Sequence, residues 1–269
     1  MGLNLKNIFQ VYKNIGETPL VALERLRGSS PELKDLPMTY AGRLDPMAEG
    51  VLIILAGEEC KNKEKYLNLD KEYEVEIVFG INTDSYDALG LAEIKYNYKY
   101  KRLSFDLSKY VGKFKQQYPA YSAKTFEGVQ LHKLARDRKL PEEMPEKDVE
   151  IYSIGIVDSY SISSNELMKI ILEKINLVRG DFRQEKIKAE WRKLLCIDGD
   201  SKSNNRFGSI TQNHNVNCEQ LFEVLKVKVK CSSGTYMRSL ANKIGNDLDI
   251  GAFALSIKRT RFFKKSLKN

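Results

Sequence analysis

Gly42-Arg43-Leu44-Asp45-Pro46-Met47-Ala48-Glu49-Gly50-Val51-Leu52 passes from a polar turn into an apolar run. Pro46 crowds the backbone ahead of it and disfavours the helical region at Asp45, so this carboxylate stands on a loop. After Gly50 the run Val51–Ala56 is wholly apolar, which predicts a buried strand. Pro37–Ala56 therefore reads as a turn feeding a strand, with one acidic side chain just before it. Alone, such a residue is a turn or cap aspartate, and the flanking segments decide whether it is more.

Working outward, Tyr73, Val75, Ile77 and Phe79 alternate with Glu72, Glu74, Glu76 and Val78, the period-two pattern of a strand with one wet face. Gly80 and Asn82-Thr83-Asp84 end it, and Gly90 closes a turn. Tyr118–Arg136 begins irregular and turns helical, with Leu131, Leu134 and Ala135 on one side; Ile151–Val157 reads as a further strand. Leu167, Ile170, Ile171, Ile175 and Val178 fall at helical spacing, as do Ile187, Trp191, Leu194 and Leu195, which predicts a helical pair joined near Gly180. Asp198–Gln220 is rich in Asn, Ser and Gly and reads as a long loop. Val227 and Val229 alternate with Lys226, Lys228 and Lys230, a strand with a cationic face. Met237, Leu240, Ala241, Ile244 and Leu248 mark an amphipathic helix that is expected to start near Ser232 or Ser233. Ala252–Phe263 mixes apolar and basic residues. There is no repeat and no domain-scale linker, and strand-rich segments with interspersed helices predict the α+β class.

Composition narrows the function classes. Hydrophobic residues at 42% and charged residues at 30% match a globular chain rather than a disordered one. Val51–Ala56, the longest apolar stretch, is far short of the ~20 residues a membrane span needs. Met1–Gln10 has no apolar leader core, and Lys6 breaks a myristoylation pattern, so the expected address is the cytoplasm, without membrane attachment. The net charge of +8 is concentrated: Lys226–Asn269 carries eleven basic residues against Asp247 and Asp249. Such a concentration suits a polyanion, nucleic acid above all, although a solubilising tail has the same composition. Cys60, Cys196, Cys218 and Cys231 form no C-x-x-C pair, which argues against a thiolate zinc site, and no disulfide framework is expected.

Several chemistries are set aside. The chain has no G-x-G-x-x-G, P-loop or G-x-S-x-G. Asp198-Gly199-Asp200 fails as a calcium loop because Lys202 and Ser203 stand where a ligand and a glycine belong. His132 and His214 lie in no H-E-x-x-H motif. Cys231 and Arg238 are separated by six residues, one too many for a cysteine-phosphatase loop. No metal and no cofactor is expected.

Three segments taken together resemble the pseudouridine synthases. Gly42–Leu52 is similar to their catalytic loop, Asp70-Lys71-Glu72-Tyr73-Glu74-Val75 to the strand carrying their active-site tyrosine, and Gly234-Thr235-Tyr236-Met237-Arg238-Ser239-Leu240 to their arginine-bearing helix. Tyr121-Ser122-Ala123-Lys124 through Gly128, Ala135-Arg136, and Gly80, Thr83, Asp84, Asp87 and Gly90 resemble the TruB branch, the tRNA pseudouridine(55) synthases. The likeness runs over most of Tyr12–Phe263, apart from an apparent insertion at about 162–218. It implies the pseudouridine synthase fold, a mixed, largely antiparallel sheet flanked by helices and loops. It also implies one catalytic domain over residues 1–269, with no C-terminal PUA domain.

The resemblance further implies isomerisation of a T-loop uridine in tRNA, at position 55, with the T-arm as partner, no protein partner and a monomeric enzyme. Asp45 is then the catalytic carboxylate. A carboxylate in a semi-enclosed pocket needs a counter-charge, and Arg238 matches the residue that supplies it. Tyr73 matches the tyrosine that stacks on the target base, with a hydroxyl placed for late deprotonation of C5. Tyr40 stands where family members carry a histidine, and Lys13-Asn14 where they carry Lys-Pro. Lys13, Tyr40, Gly42, Arg43, Leu44, Tyr121, Lys124 and Tyr236 are expected to contact substrate, Ile257 to line the base pocket, and Lys258 and Arg259 to touch backbone phosphate. The uridine must be flipped out of its stack to reach Asp45. The insertion's Arg179, Arg183, Lys186, Lys188, Arg192 and Lys193 form a charge run that is either a solvated face or a further RNA contact. The alternatives are a synthase for another RNA, a synthase working on a protein–RNA scaffold, and a tRNA-binding chaperone that has lost catalysis.

Overall fold

The computed structural model describes residues 7–95, 104–195 and 220–264. The expected loop at Asp198–Gln220 (up to residue 219), His214, Cys196 and Cys218 lie outside them. The strands are β1 (Ile8–Lys13), β2 (Met38–Ala41), β3 (Ala48–Ala56), β4 (Asp70–Phe79), β5 (Ile81–Thr83), β6 (Ala92–Ile94), β7 (Gly112–Gln117), β8 (Thr125–Phe126), β9 (Val129–Gln130), β10 (Glu146–Ser163), β11 (Leu221–Cys231) and β12 (Ala252–Phe263). The helices are α1 (Pro19–Ser29), α2 (Lys63–Leu67), α3 (Leu131–Arg136), α4 (Ser164–Leu177), α5 (Gln184–Leu195) and α6 (Met237–Asp247). An eight-stranded sheet runs β1-β3-β12-β4-β11-β10-β7, with β2 also on β3; every pairing is antiparallel except β3–β12. This is the mixed, largely antiparallel α+β architecture expected.

β3 organises the site because its two halves have different neighbours. Its later residues pair with β1 and β2, and its first three pair with β12. The Asp45 loop enters the strand at that branching end. Gly50 opposes both Lys13 and Arg259 there, at φ +116°, and a Cβ on it would come within 2.1 Å of the Arg259 carbonyl oxygen. Only glycine permits so close an approach at that backbone angle.

The two faces of the sheet are packed differently. Tyr73, Val75, Ile77 and Phe79 of β4 meet Leu240, Ala241 and Ile244 of α6. On the opposite face Val78 joins Phe222, Val224 and Phe253 beneath Leu167, Ile171, Ile175, Ile187 and Trp191 of the predicted helical pair. β4 is a central strand, so its expected wet face is covered at this end. At the other end Glu72, Glu74 and Glu76 stand directly opposite Lys230, Lys228 and Lys226. Glu72, 3% exposed, accepts from Arg261 (2.9 Å) and Thr260 (2.9 Å) and lies 3.3 Å from Lys228 Nζ. Burial works against its charge, but these donors hold its carboxyl below the ordinary range. The cationic face expected of β11 is therefore met by acids one strand away.

Local signals set most helix ends. Thr18 caps α1 ahead of Pro19, and Ser163 with Glu166 forms a capping box on α4. α6 departs from expectation. Its N-cap is Tyr236, and Ser232 lies earlier, its hydroxyl accepting from Glu150 N at 2.9 Å. Among the described residues Cys60 and Cys231 are free thiols, and no helix is long and apolar enough to cross a membrane.

Gly50→Ala should lower the unfolding free energy by about 3 kcal/mol or more, or prevent folding, because a strained angle and a backbone clash coincide. Gly28→Ala, an exposed position in α1 with nothing within 4 Å of the new methyl, should raise it by about 0.5–1 kcal/mol. Urea titrations of both variants measure the contrast.

Candidate active site

The site is built around a buried positive charge. Arg238, second residue of α6, is 3% exposed. Its Nε donates to Asp45 Oδ2 at 2.8 Å, Nη1 to the Ser85 carbonyl at 2.7 Å and Nη2 to the Tyr121 carbonyl at 3.3 Å. Nε is also 3.5 Å from Asp87 Oδ2. The guanidinium thus lies between a floor carboxylate, Asp87 at 6% side-chain exposure, and a rim carboxylate, Asp45 at 37%. Burial pushes Asp87 up, and Arg238 opposes that rise; Asp87 Oδ1 also accepts from Ser85 Oγ at 2.7 Å and Leu89 N at 2.9 Å. Burial works against the charge on Arg238, yet Asp45 and Asp87 together hold its pKa above the ordinary value.

The loop bearing Asp45 is clamped from beneath by two buried cations. Arg259, 1% exposed on β12, donates to the carbonyls of Val51 (2.7 Å), Gly42 (3.1 Å) and Arg43 (3.3 Å), with its guanidinium over the Phe262 ring. Lys13, fully buried at the end of β1, donates to the carbonyls of Ala48 (2.6 Å) and Asn14 (3.0 Å). Burial lowers its pKa to about 8, with the Asp45 charge opposing. Lys13 and Arg259, both expected at substrate, spend donors on the backbone around Asp45, because β1 and β12 flank β3 and carry them under the loop, and Arg259 also lines the hollow that holds Tyr73.

Asp45 forms the ridge between two cavities. One, of about 530 Å³, holds Tyr73, Tyr236, Met237 and Ile257; the other, of about 380 Å³, holds Tyr40, Tyr121, Phe182 and Arg238. Arg43 and Leu44 line both. Residues 33–173 match the TruB family pseudouridylate synthases over their N-terminal domain. The chain belongs to this family. It is 33% identical over 197 residues to the tRNA pseudouridine synthase B of Thermosipho melanesiensis, covering 72% of this chain and 58% of that one. It is 31% identical over 230 residues to the enzyme of the same name from Francisella tularensis subsp. novicida, covering 82% and 54%. The chain thus spans a little over half the length of these curated relatives. A chain in the crystal structure of a Cbf5-Nop10-Gar1 complex shares the fold, with TM-score 0.52 and 15% identity over 97% of this chain and 50% of that one.

The other expected positions of this TruB-family chain, Lys258 apart, line the two cavities. Tyr73, 7% exposed on β4, has its phenol pushed up to about 12 by burial, with Arg259 opposing, so it is neutral at ordinary pH. Ile257 of β12 opposes Ala48 and Val75 and so sits beside Tyr73. The Tyr236 phenol is also pushed up to about 12, by burial and then by the Asp45 charge, and its ring meets Tyr118 edge-on. Arg43 and Lys124 are exposed at the mouth, Leu44 is buried, and Gly42 takes φ +81°. Lys258, half-buried, follows Ile257 on β12. Tyr40 is half-buried on β2, where the Lys63 ammonium lies 5.6 Å from its ring centroid.

Asp87, Ser85 and Arg183 were not foreseen as site residues. Asp87 belonged to the quoted family pattern, but nothing local to Thr83–Gly90 says that its carboxylate meets an arginine far along the chain. Arg183 was visible only as one member of a charge run. His132 Nδ1 lies 3.1 Å from the Ser122 carbonyl, and among the described residues no cluster of three or more His, Cys, Asp or Glu is arranged to hold a metal.

Lys13 titrates near 10.5 when unfolded and near 8 when folded, so between those values the unfolded chain binds more protons and stability climbs with pH. Lys13→Met should flatten part of that climb between about pH 8 and 10.5. Lys71, also lowered to about 8 by burial, should add to the climb over the same range. An unfolding free energy that follows pH in the variant as it does in the parent would show that Lys13 is not a depressed group.

Proposed function

We propose that this chain isomerises a T-loop uridine of tRNA to pseudouridine, in the cytoplasm, with residues 1–269 acting as one catalytic unit. One observation carries the reading: a half-exposed carboxylate, Asp45, is held by a buried guanidinium on the ridge beside a cleft that contains an aromatic ring, Tyr73. A structural aspartate needs neither the second cavity nor a fully sequestered arginine, and a pure binding protein gains nothing from burying that charge.

The reaction breaks the bond from ribose C1′ to uracil N1, turns the base, joins C1′ to C5, and moves the C5 proton so that N1 ends protonated. Atoms and electrons balance within the nucleoside. Arg238 aims Asp45, since Nε holds one carboxylate oxygen and leaves the group facing the cavities. The uridine reaches it only when everted, at a cost of a few kcal/mol in unstacking. The face of Tyr73 and the apolar side of Ile257 receive the base and offset that cost. With its pKa pushed up to about 12, the Tyr73 phenol enters the reaction protonated, in keeping with the stacking role that the sequence put first.

Asp45→Asn keeps the size of the side chain and removes its charge. A T-arm stem-loop incubated with this variant should show pseudouridine formation reduced by at least about 1,000-fold, with affinity within about tenfold of the parent. Turnover comparable to the parent, read by chemical mapping of modified uridines, would remove Asp45 from the chemistry.

A further inference from the structure

The α4–α5 pair lies in the segment read as an insertion, yet three contacts tie it to the site. Arg179 N donates to the Gly16 carbonyl at 3.3 Å, and Gly16 N donates to the carbonyl of Pro46, next to Asp45, at 2.8 Å. Gly16 (φ +83°) has no room for a side chain, because a Cβ there would come within 2.1 Å of the Leu177 carbonyl oxygen. Trp191, wholly buried in α5, donates from its indole to the Ala88 carbonyl at 3.0 Å, one residue from Asp87.

The third contact is Arg183. Its guanidinium lies over the Tyr121 ring, 4.2 Å from the centroid, and pairs with Asp84 at 3.1 and 3.4 Å. Arg183 is a non-glycine residue at φ +63°. The turn holds it there: Arg183 N donates to Asp181 Oδ1 at 3.3 Å, Phe182 N to Gln184 Oε1 at 2.8 Å, and Ile187 N to the Arg183 carbonyl at 3.0 Å. A strained conformation maintained by its surroundings marks a side chain whose position matters.

That position is the shared wall of two hollows. Inward is the cavity of about 380 Å³ containing Asp45, where Arg43, Arg136, Arg183 and Arg238 face Asp45 and Asp87. Outward is a hollow of about 420 Å³ edged by Lys186 and Lys188, with Asp181 and Glu185. Four arginines thus line the inner cavity against Asp45 and Asp87, with Asp84 pairing Arg183 and Asp181 pairing Arg136 from outside its lining.

We propose that the α4–α5 turn is a wall of the substrate site and that Arg183 binds a phosphate of the RNA strand flanking the reacting nucleotide, with Tyr121 as its stacking platform. The flanking strand leaves the inner cavity across Arg183 toward the outer hollow. A planar guanidinium backed by an aromatic ring is pre-organised for a phosphate, as a mobile lysine is not. This proposal rests on the isomerase reading of the site, but its test is a binding measurement.

The test measures the affinity of the full chain for a T-arm stem-loop over a series of salt concentrations. Arg183→Ala should weaken binding about five- to twentyfold near 0.1 M salt and flatten the log–log salt slope by about 0.7, the value of one lost single-strand phosphate contact. Arg183→Lys should keep the slope, and Asp84→Asn, which releases the guanidinium, should bind at least as tightly as the parent. An unchanged slope in Arg183→Ala, or equal weakening in Asp84→Asn, would overturn the proposal and leave Arg183 as a structural clamp. If Arg183→Ala does not fold, Arg183→Gln carries the same two outcomes. Failure of the parent itself to form pseudouridine would count against the isomerase reading instead, whatever the salt slopes are.

Discussion

A guanidinium removed from water must be answered by acceptors, and the arrangement around Arg238 follows from that requirement. Its partners come from three separate loops: Asp45 before β3, Ser85 and Asp87 after β5, and the carbonyl of Tyr121 before β8. Each loop is irregular and weakly constrained by its own sequence. Converging on one fixed cation, they acquire a common geometry. The same contact orients the rim carboxylate, since Nε reaches Asp45 while the floor of the site neutralises the rest of the charge. Without the arginine, Asp87 would be a buried and uncompensated anion, a situation that ordinarily costs several kcal/mol.

The loop that carries Asp45 is held a second time, through its backbone. Arg259 and Lys13 reach it from the two strands beside β3, taking carbonyls at its start and end. Much of the positive charge in the C-terminal part of the chain is likewise consumed internally. The β11 lysines face the β4 glutamates, Arg261 meets Glu72, and Arg238 and Arg259 are sequestered. The basic excess of Lys226–Asn269 therefore overstates what an RNA would meet along this part of the chain, and the cations around the Asp45 cavities, such as Arg43 and Lys124, gain in weight.

The α4–α5 pair joins the packing of the sheet to the lining of a cavity. It covers one end of the sheet with a conventional apolar stripe, which would suffice for stability. Its turn, however, is threaded between the Gly16–Pro46 contact and the Asp84–Tyr121 pair, so helix packing also determines where Arg183 and Phe182 stand against the cavity.

Local pattern was enough for β4, α4, α5 and the body of α6, because periodicity reports which face is buried whatever the partner. The residues Asp45, Tyr73 and Arg238 were legible as a set from their motifs, and the structure brings them to one ridge and its adjoining clefts. The start of α6 was misread because serine is a common cap, whereas Ser232 was needed by the neighbouring β10 backbone. Lys13 and Arg259 were expected to reach substrate or its phosphates, and only the order β1-β3-β12 sets them against the backbone of the Asp45 loop. Sequence by itself determined which chemistry-bearing side chains the protein has and which local element carries each. Tertiary structure alone decided which charges meet which, that Asp87 completes the arginine's surroundings and that Arg183 faces the cavity. The partner of a charge is chosen by strand order and loop convergence across the chain, and no local window of residues contains that information.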